Sequence, residues 1–348
     1  MMTYSNAPGK PHHAWRPRAA CGLITVLSGF LAVAAFSLFQ HHLASALPLF
    51  LLVLAGYLLM RWLPCPPGLA DGVTRFVFAV ALPAMLFRLM SDLSRLPPVD
   101  VRLLIAFFGG CLLVFIAGRW LAWRVFGLDG IGQSVFALGG IFSNNVLLGL
   151  PLAKVALGEA ALPVVALVLV FNSLTLWTLV TISVEWARHG RPTPRGFART
   201  AKNVLTNPIV AAIVSGTLFG LAGGTLPPLA DLPLSWLGDI AGPLSLVALG
   251  MGLASYAVRE GWRISASITA IKLLVQPLVV WLLARALGLP ALETQVVTLL
   301  ASLAVGANVY LMAIQFKTLQ GPVAGSLVLS TALAALSTPL ILTLLAGT

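Results

Sequence analysis

Between Asp129 and Lys154 the chain carries no charged residue. A run of that length crosses a bilayer as a helix. Its centre, however, reads Gly139-Gly140-Ile141-Phe142-Ser143-Asn144-Asn145, with Gly149 and Pro151 just beyond. Adjacent amides in hydrocarbon are costly unless they are paired or face a cavity. Glycine and proline on either side let a helix open, and opened backbone is tolerated at membrane depth only where protein or water lines it. The stretch therefore predicts a broken helix with a polar centre and a binding site at the break.

The rest of the chain gives that helix company. Of 348 residues, 59 % are hydrophobic and 9 % charged, and the mean hydropathy is +0.98. Soluble domains do not have this composition. Ten or eleven segments are long enough to span: 22–40, 46–62, 70–91, 101–125, 131–156, 160–186, 204–222, 234–258, 263–287, 293–316 and 321–346. The connections are short, so the chain reads as an all-α polytopic membrane protein with the lipid bilayer as its partner.

The formal charge of +11 does not point to nucleic acid. The basic residues cluster in a few loops, as the positive-inside bias of membrane proteins requires. Residues 1–21 form a basic lead with Lys10, Arg16 and Arg18 and no acid, expected in the cytoplasm. Residues 22–45 are an additional hydrophobic segment. It is either a signal peptide, with Ala44-Ser45-Ala46 resembling a cleavage site, or a retained helix. The His41-His42 pair reads as a polar turn without a third metal ligand. Cys21, Cys65 and Cys111 are odd in number and lack metal spacing, so neither a metal site nor a cofactor is expected.

Residues 187–203 carry Arg188, Arg191, Arg195, Arg199 and Lys202 and are expected in the cytoplasm. This linker divides 46–186 from 204–348, and the two parts echo each other. Pro48 and Pro208 stand 160 residues apart, as do Pro83 and Pro243, while Pro163 and Pro322 stand 159 apart. Five spans per unit is an odd number, which reverses the second unit in the membrane and gives an inverted repeat. Counting from the linker puts Arg61, Arg75, Arg119, Arg124, Arg259, Arg263 and Lys317 inside. Arg95, Arg102 and Arg285 fall outside, and so does the C-terminus. The expected location is the plasma (inner) membrane, multi-pass.

Several polar residues interrupt the apolar spans. Pro83 near a span centre predicts a kink, and Pro243 holds the corresponding place in the second unit. Asn172 lies mid-span, either as an interhelical hydrogen bond or as part of a site. Asn308 sits near the centre of 293–316, after Gly306. Lys272 is the clear intramembrane charge, read either as a snorkelling or structural lysine or as a positive potential near an anion. The ten acidic residues all fall in loops or at helix ends, so a buried carboxylate relay is not expected. No acidic Mg²⁺ motif, H-E-x-x-H or intramembrane Ser/His pair points to an enzyme. A channel or a receptor-like sensor stays open beside a carrier.

The segments ALPLFLLVLAGYLL, FVFAVALPAMLF, SNNVLLGLPLAKVALGE, NPIVAAIVSGTL, GPLSLVALGMGL and KLLVQPLVVWLLARALGL, in this order, resemble the auxin efflux carrier family of permeases. The resemblance runs from about Ala46 to the C-terminus. It implies ten core helices in two inverted five-helix repeats, with the fourth and ninth unwound and crossing near the substrate. It also implies transport of organic anions bearing carboxylates. Asn144, Gly149 and Pro151 match the family's crossover in part, with Asn145 where a small residue is more usual. In the ninth helix Ala304 stands where the family often has proline, leaving Gly306 to supply the freedom. The resulting expectation is a carboxylate transporter with Ser143, Asn144, Asn145, Asn172, Asn308 and Lys272 on the substrate. Gly149, Pro151, Gly306, Pro83 and Pro243 would serve as crossover or hinge positions. A homodimer stays open.

Overall fold

The computed structural model describes residues 18–91, 100–189, 206, 208–254 and 261–346. The basic lead before residue 18, residues 190–205 of the linker, Arg95, Arg259 and Thr348 lie outside the described residues. The described residues form twelve helices: α1 Arg18–Trp62, α2 Leu69–Ser91, α3 Arg102–Phe126, α4 Gly130–Ile141, α5 Asn145–Leu157 and α6 Leu162–His189. There follow α7 Pro208–Leu221, α8 Pro228–Leu253, α9 Trp262–Ala286, α10 Ala291–Ser302, α11 Ala307–Phe316 and α12 Gln320–Ala346. No strand occurs among the described residues.

Six of these helices, α1 from Phe36 onward, α2, α3, α8, α9 and α12, are long and apolar enough to cross a membrane. The expected 160–186 span is the continuous helix α6 of 28 residues, and three other expected spans are divided or shorter. The 131–156 segment is split into α4 and α5, the 293–316 segment into α10 and α11, and α7 has 14 residues.

The expected separation of 22–40 from 46–62 is not observed. One helix of 45 residues runs through both, roughly 65–70 Å long and over twice the hydrocarbon thickness. The polar stretch around His41-His42 contains no glycine or proline to break it, and the Ser45 hydroxyl turns back onto the His41 carbonyl at 3.0 Å. Polarity alone did not make a turn there.

Proline shapes three other helices in one way. π-helical turns occupy Val77–Ala81, Asn145–Gly149 and Ile271–Val275, and Pro83, Pro151 and Pro277 follow them. In each, the residue before the proline donates its N–H five residues back, from Leu82 to Val77, Leu150 to Asn145 and Gln276 to Ile271. Proline cannot donate and its ring crowds the preceding turn, so the widened turn absorbs the misfit. Pro243 lies within the continuous helix α8 instead.

Small residues let the helices close up. α1 packs on α8, and α2 on α7 and α8. Gly56 and Gly250 sit where α1 and α8 touch backbone to backbone. α3 packs on α4 and α9, α9 on α10, and α12 on α1 and α9. The start of α4 is fixed by Asp129, whose carboxylate accepts from the Gly132 N–H at 2.9 Å, a regular N-cap that also complements the helix dipole.

Candidate functional site

The two divided segments break at the same place in space. α4 ends as Phe142 turns extended (φ −85°, ψ 102°), and α10 ends as Leu303 does (φ −70°, ψ 162°). Ser143 and Val305 then face each other in an antiparallel bridge. The Asn144 N–H donates to the Ala304 carbonyl at 2.9 Å and the Gly306 N–H to the Phe142 carbonyl at 2.8 Å. The Val305 N–H donates to Ser330 Oγ of α12 at 3.0 Å. Each break thus satisfies part of the other's backbone, as irregular chain in an apolar interior must.

Glycine makes this contact possible at two points. A Cβ on Gly306 would stand 3.0 Å from the Ser143 carbonyl oxygen and 2.9 Å from the Phe142 ring. One on Gly149 would stand 2.9 Å from Leu303. The break after α10 therefore forms without the proline at position 304, with Gly306 allowing the close approach.

Past the bridge both chains re-enter helix, so the N-termini of α5 and α11 open on one cavity of about 50 Å³. Ser143, Asn144, Asn145, Asn172 and Asn308 line it, with Phe78 of α2 and Ile209 of α7 on its apolar side. Among the described residues, no charged side chain lines it. Ser143, Asn144, Asn145 and Asn172 are all more than nine-tenths buried; Asn308 is half-buried. Ser143 Oγ, Asn144 Nδ2, both amide atoms of Asn145 and Asn172 Oδ1 are buried without a hydrogen-bond partner. Such orphans are rare in a finished core, and each costs about 1–3 kcal/mol. Two helix N-termini add the positive ends of their dipoles. Unpartnered amides and two positive helix ends together suit an anion with several acceptor oxygens.

Sequence reading thus named five residues that the fold gathers at one cavity. Lys272 stands apart from them, as a structural lysine. It is not among the residues lining the cavity, and it does not snorkel. It is fully buried, and its Nζ donates to the Ala301 carbonyl of α10 at 2.5 Å. Gly139 and Gly140 also differ from expectation. They are helical, and they admit α9: a Cβ on Gly140 would stand 2.7 Å from Ile271, and one on Gly139 2.8 Å from Ile268.

Two residues escaped notice as site elements. Gln276 is fully buried and donates to the Ile141 carbonyl at 2.8 Å; an amide within an apolar span was the available signal. Ser245 of α8 donates to the Leu147 carbonyl at 2.9 Å, and nothing in its local sequence marks it.

A second, larger cavity of about 530 Å³ lies further along α5, lined in part by Arg88, Lys154, Glu159, Asp231 and Asp239. Arg88 Nε and a second guanidinium nitrogen hold Asp231 at 2.5 and 3.1 Å, and Lys154 lies 3.5 Å from Glu159. Leu147 of α5, which lines the small cavity, accepts from Ser245 of α8, and along α5 it is followed by Pro151 and then by Lys154 of the larger cavity.

Among proteins of known family, the model described as membrane transport protein matches residues 41–342. The chain belongs to that family, the auxin efflux carrier family that its sequence resembles. It is 28 % identical over 305 residues to the "Putative malonate transporter" of Rhizobium meliloti (strain 1021), covering 82 % of this chain and 90 % of that protein. It is 25 % identical over 306 residues to an "Uncharacterized transporter" of Methanothermobacter thermautotrophicus (strain Delta H), covering 87 % of this chain and 98 % of that protein.

Proposed function

We propose that this multi-pass membrane protein is a secondary transporter that moves a small carboxylate, of the malonate class, by alternating access at the crossing of its broken helices. The observation that carries the reading is the cavity at the Ser143–Val305 bridge. It combines two helix N-termini with orphaned amides and, among the described residues, has no fixed charge in its lining. A carrier must bind an anion and then release it, and neutral donors bind without trapping. The name of the Rhizobium meliloti relative supports the substrate class.

The two-unit, inverted reading has support of its own. Prolines recur at offsets of 160 and 159. A divided segment follows the third helix after the chain start and the third helix after the linker. The breaks meet antiparallel, as pseudo-symmetric halves of opposite orientation would. Access is the remaining element. At about 50 Å³ the cavity is far below the roughly 300–1,000 Å³ of ligand pockets, so it must open to load. Along α5, the hydrogen bond from Ser245 of α8 to Leu147 stands between the Asn144–Asn145 lining of this cavity and the Lys154 lining of the 530 Å³ one. Parting of that contact would connect the two, and its closure with opening elsewhere would complete the cycle.

The test is counterflow. Purified protein in liposomes preloaded with malonate should accumulate external labelled malonate transiently, which a channel does not do. Malonate should also raise the melting temperature of the purified protein. Absence of both effects across malonate and other small mono- and dicarboxylates would sink the reading.

A further inference from the structure

We infer that Lys272 and Gln276 of α9 are positioning residues, which clamp the carbonyl ends of both broken helices and so aim their N-terminal partners at the cavity. The inference goes beyond the transport reading and does not need its substrate.

Breaking a helix leaves two kinds of unsatisfied group. The N-terminal side exposes N–H donors and the C-terminal side exposes carbonyls. At this crossing the two kinds are treated differently. The carbonyl side is filled by the protein itself: Ile141 by Gln276, Ala301 by Lys272, Phe142 by the Gly306 N–H and Ala304 by the Asn144 N–H. The donor side faces the cavity beside the orphaned Ser143, Asn144 and Asn145 side chains. One helix supplies both side-chain caps. Ile141 is the last residue of α4 and Ala301 lies in the last turn of α10. Lys272 and Gln276 stand four positions apart across the π turn Ile271–Val275, and both are fully buried.

The approach that allows this is built in. Gly139 and Gly140 leave no room for a Cβ against Ile268 and Ile271, so α9 can lie on the end of α4. Gln276 also reaches Cys111 Sγ of α3 at 3.4 Å, which ties the clamp to a neighbouring helix. A cationic donor at the C-terminus of α10 complements the dipole there. Loss of either cap would leave a buried carbonyl unsatisfied and free the adjoining break to shift.

Hydrogen exchange followed by mass spectrometry on the purified full chain, without added substrate, tests this. Gln276→Met keeps the length but cannot donate, and Gln276→Leu removes the polar group with a branched side chain. Both should speed exchange about tenfold in peptides covering 142–149, roughly the effect of one lost hydrogen bond. Lys272→Met should do the same in 303–309, and Lys272→Arg should restore wild-type protection. Peptides from the α1–α8 contact should exchange as in wild type. Unchanged exchange at the breaks in folded Gln276→Met protein would overturn the inference, as would a uniform rise throughout the molecule. Malonate titration of the same variants adds a second reading: affinity should fall about tenfold. If malonate fails to bind the wild type, the transport reading fails and the exchange result still decides the clamp.

Discussion

Gly250 of α8 lies over Val53 of α1 so closely that a Cβ there would stand 1.8 Å from the Val53 carbonyl oxygen. Gly56 makes the reciprocal approach, its Cβ position 2.2 Å from the Val247 carbonyl oxygen. Backbone carbonyls cannot swing aside as side chains can, so Gly250→Ala should force the two helices apart. Overpacking of this kind costs about 1–3 kcal/mol and at times more. Gly252→Ala, two positions on, meets nothing within 4 Å and should be neutral or slightly stabilising in a helix. Melting temperatures of the two purified variants in detergent check the pair. Equal melting would show that α1 and α8 are not held this closely.

The broken helix was legible because Ser143, Asn144 and Asn145 are expensive in hydrocarbon whatever surrounds them. The second break was legible only through Asn308 and Gly306, since position 304 carries alanine. Residues whose meaning comes from a distant partner were not readable. A lysine in an apolar span can snorkel, bind an anion or cap a helix, and only the position of Ala301 decides among them. Gly139 and Gly140 likewise read as helix openers until Ile268 and Ile271 are known to press on them. The length of α1 was misread for a simpler reason: histidine and serine are polar, but they do not stop a helix.

Ser330 accepts from the Val305 N–H within the second break and is fully buried. Ser330→Ala should strand that donor and lower stability by about 1–3 kcal/mol. Ser326, also buried on α12, donates to the Val323 carbonyl one turn back in its own helix, so Ser326→Ala should cost less. Thermal unfolding of both variants makes the comparison. A larger loss at Ser326 would contradict the assigned role of Ser330.

The Arg88–Asp231 pair is bidentate, but its side chains are 42 % and 37 % exposed. Screening and side-chain entropy hold such a pair to about 1 kcal/mol or less. Arg88→Gln and Asp231→Asn should therefore shift melting only slightly, and the shift should shrink further in molar salt. A large, salt-resistant loss in either variant would mean that the cavity around this pair is shielded from water.

Orientation follows from the basic linker, expected in the cytoplasm with Thr348 outside. In a chain with Cys21, Cys65 and Cys111 replaced by serine, Arg191→Cys should resist an impermeant thiol reagent on intact cells. Thr348→Cys should react with it. The reverse pattern would invert the assignment and, with it, the face on which the 530 Å³ cavity opens.

Asn144 and Asn308 carry the most direct test of the site. Asn144 holds the N-cap position of α5 without a side-chain cap bond, and Asn308 sits in the first turn of α11, so each lies where a positive helix end meets the cavity. Nδ2 of Asn144 is buried with no partner, and removing it takes away no intramolecular hydrogen bond from that atom. Asn144→Ala should therefore leave the melting temperature near wild type. If a carboxylate accepts from it, affinity for malonate should fall by about 1–3 kcal/mol, the scale of a hydrogen bond to a charged group. Asn308→Ala should behave alike. The double variant should lose less than the sum if both amides hold one carboxylate, because residues sharing a partner are not additive. A helix-packing asparagine predicts the opposite pattern, with stability lost and affinity kept. Malonate titrations on the purified, folded variants, read beside their melting curves, decide between the two. Wild-type affinity in both single variants would move the substrate away from this crossing.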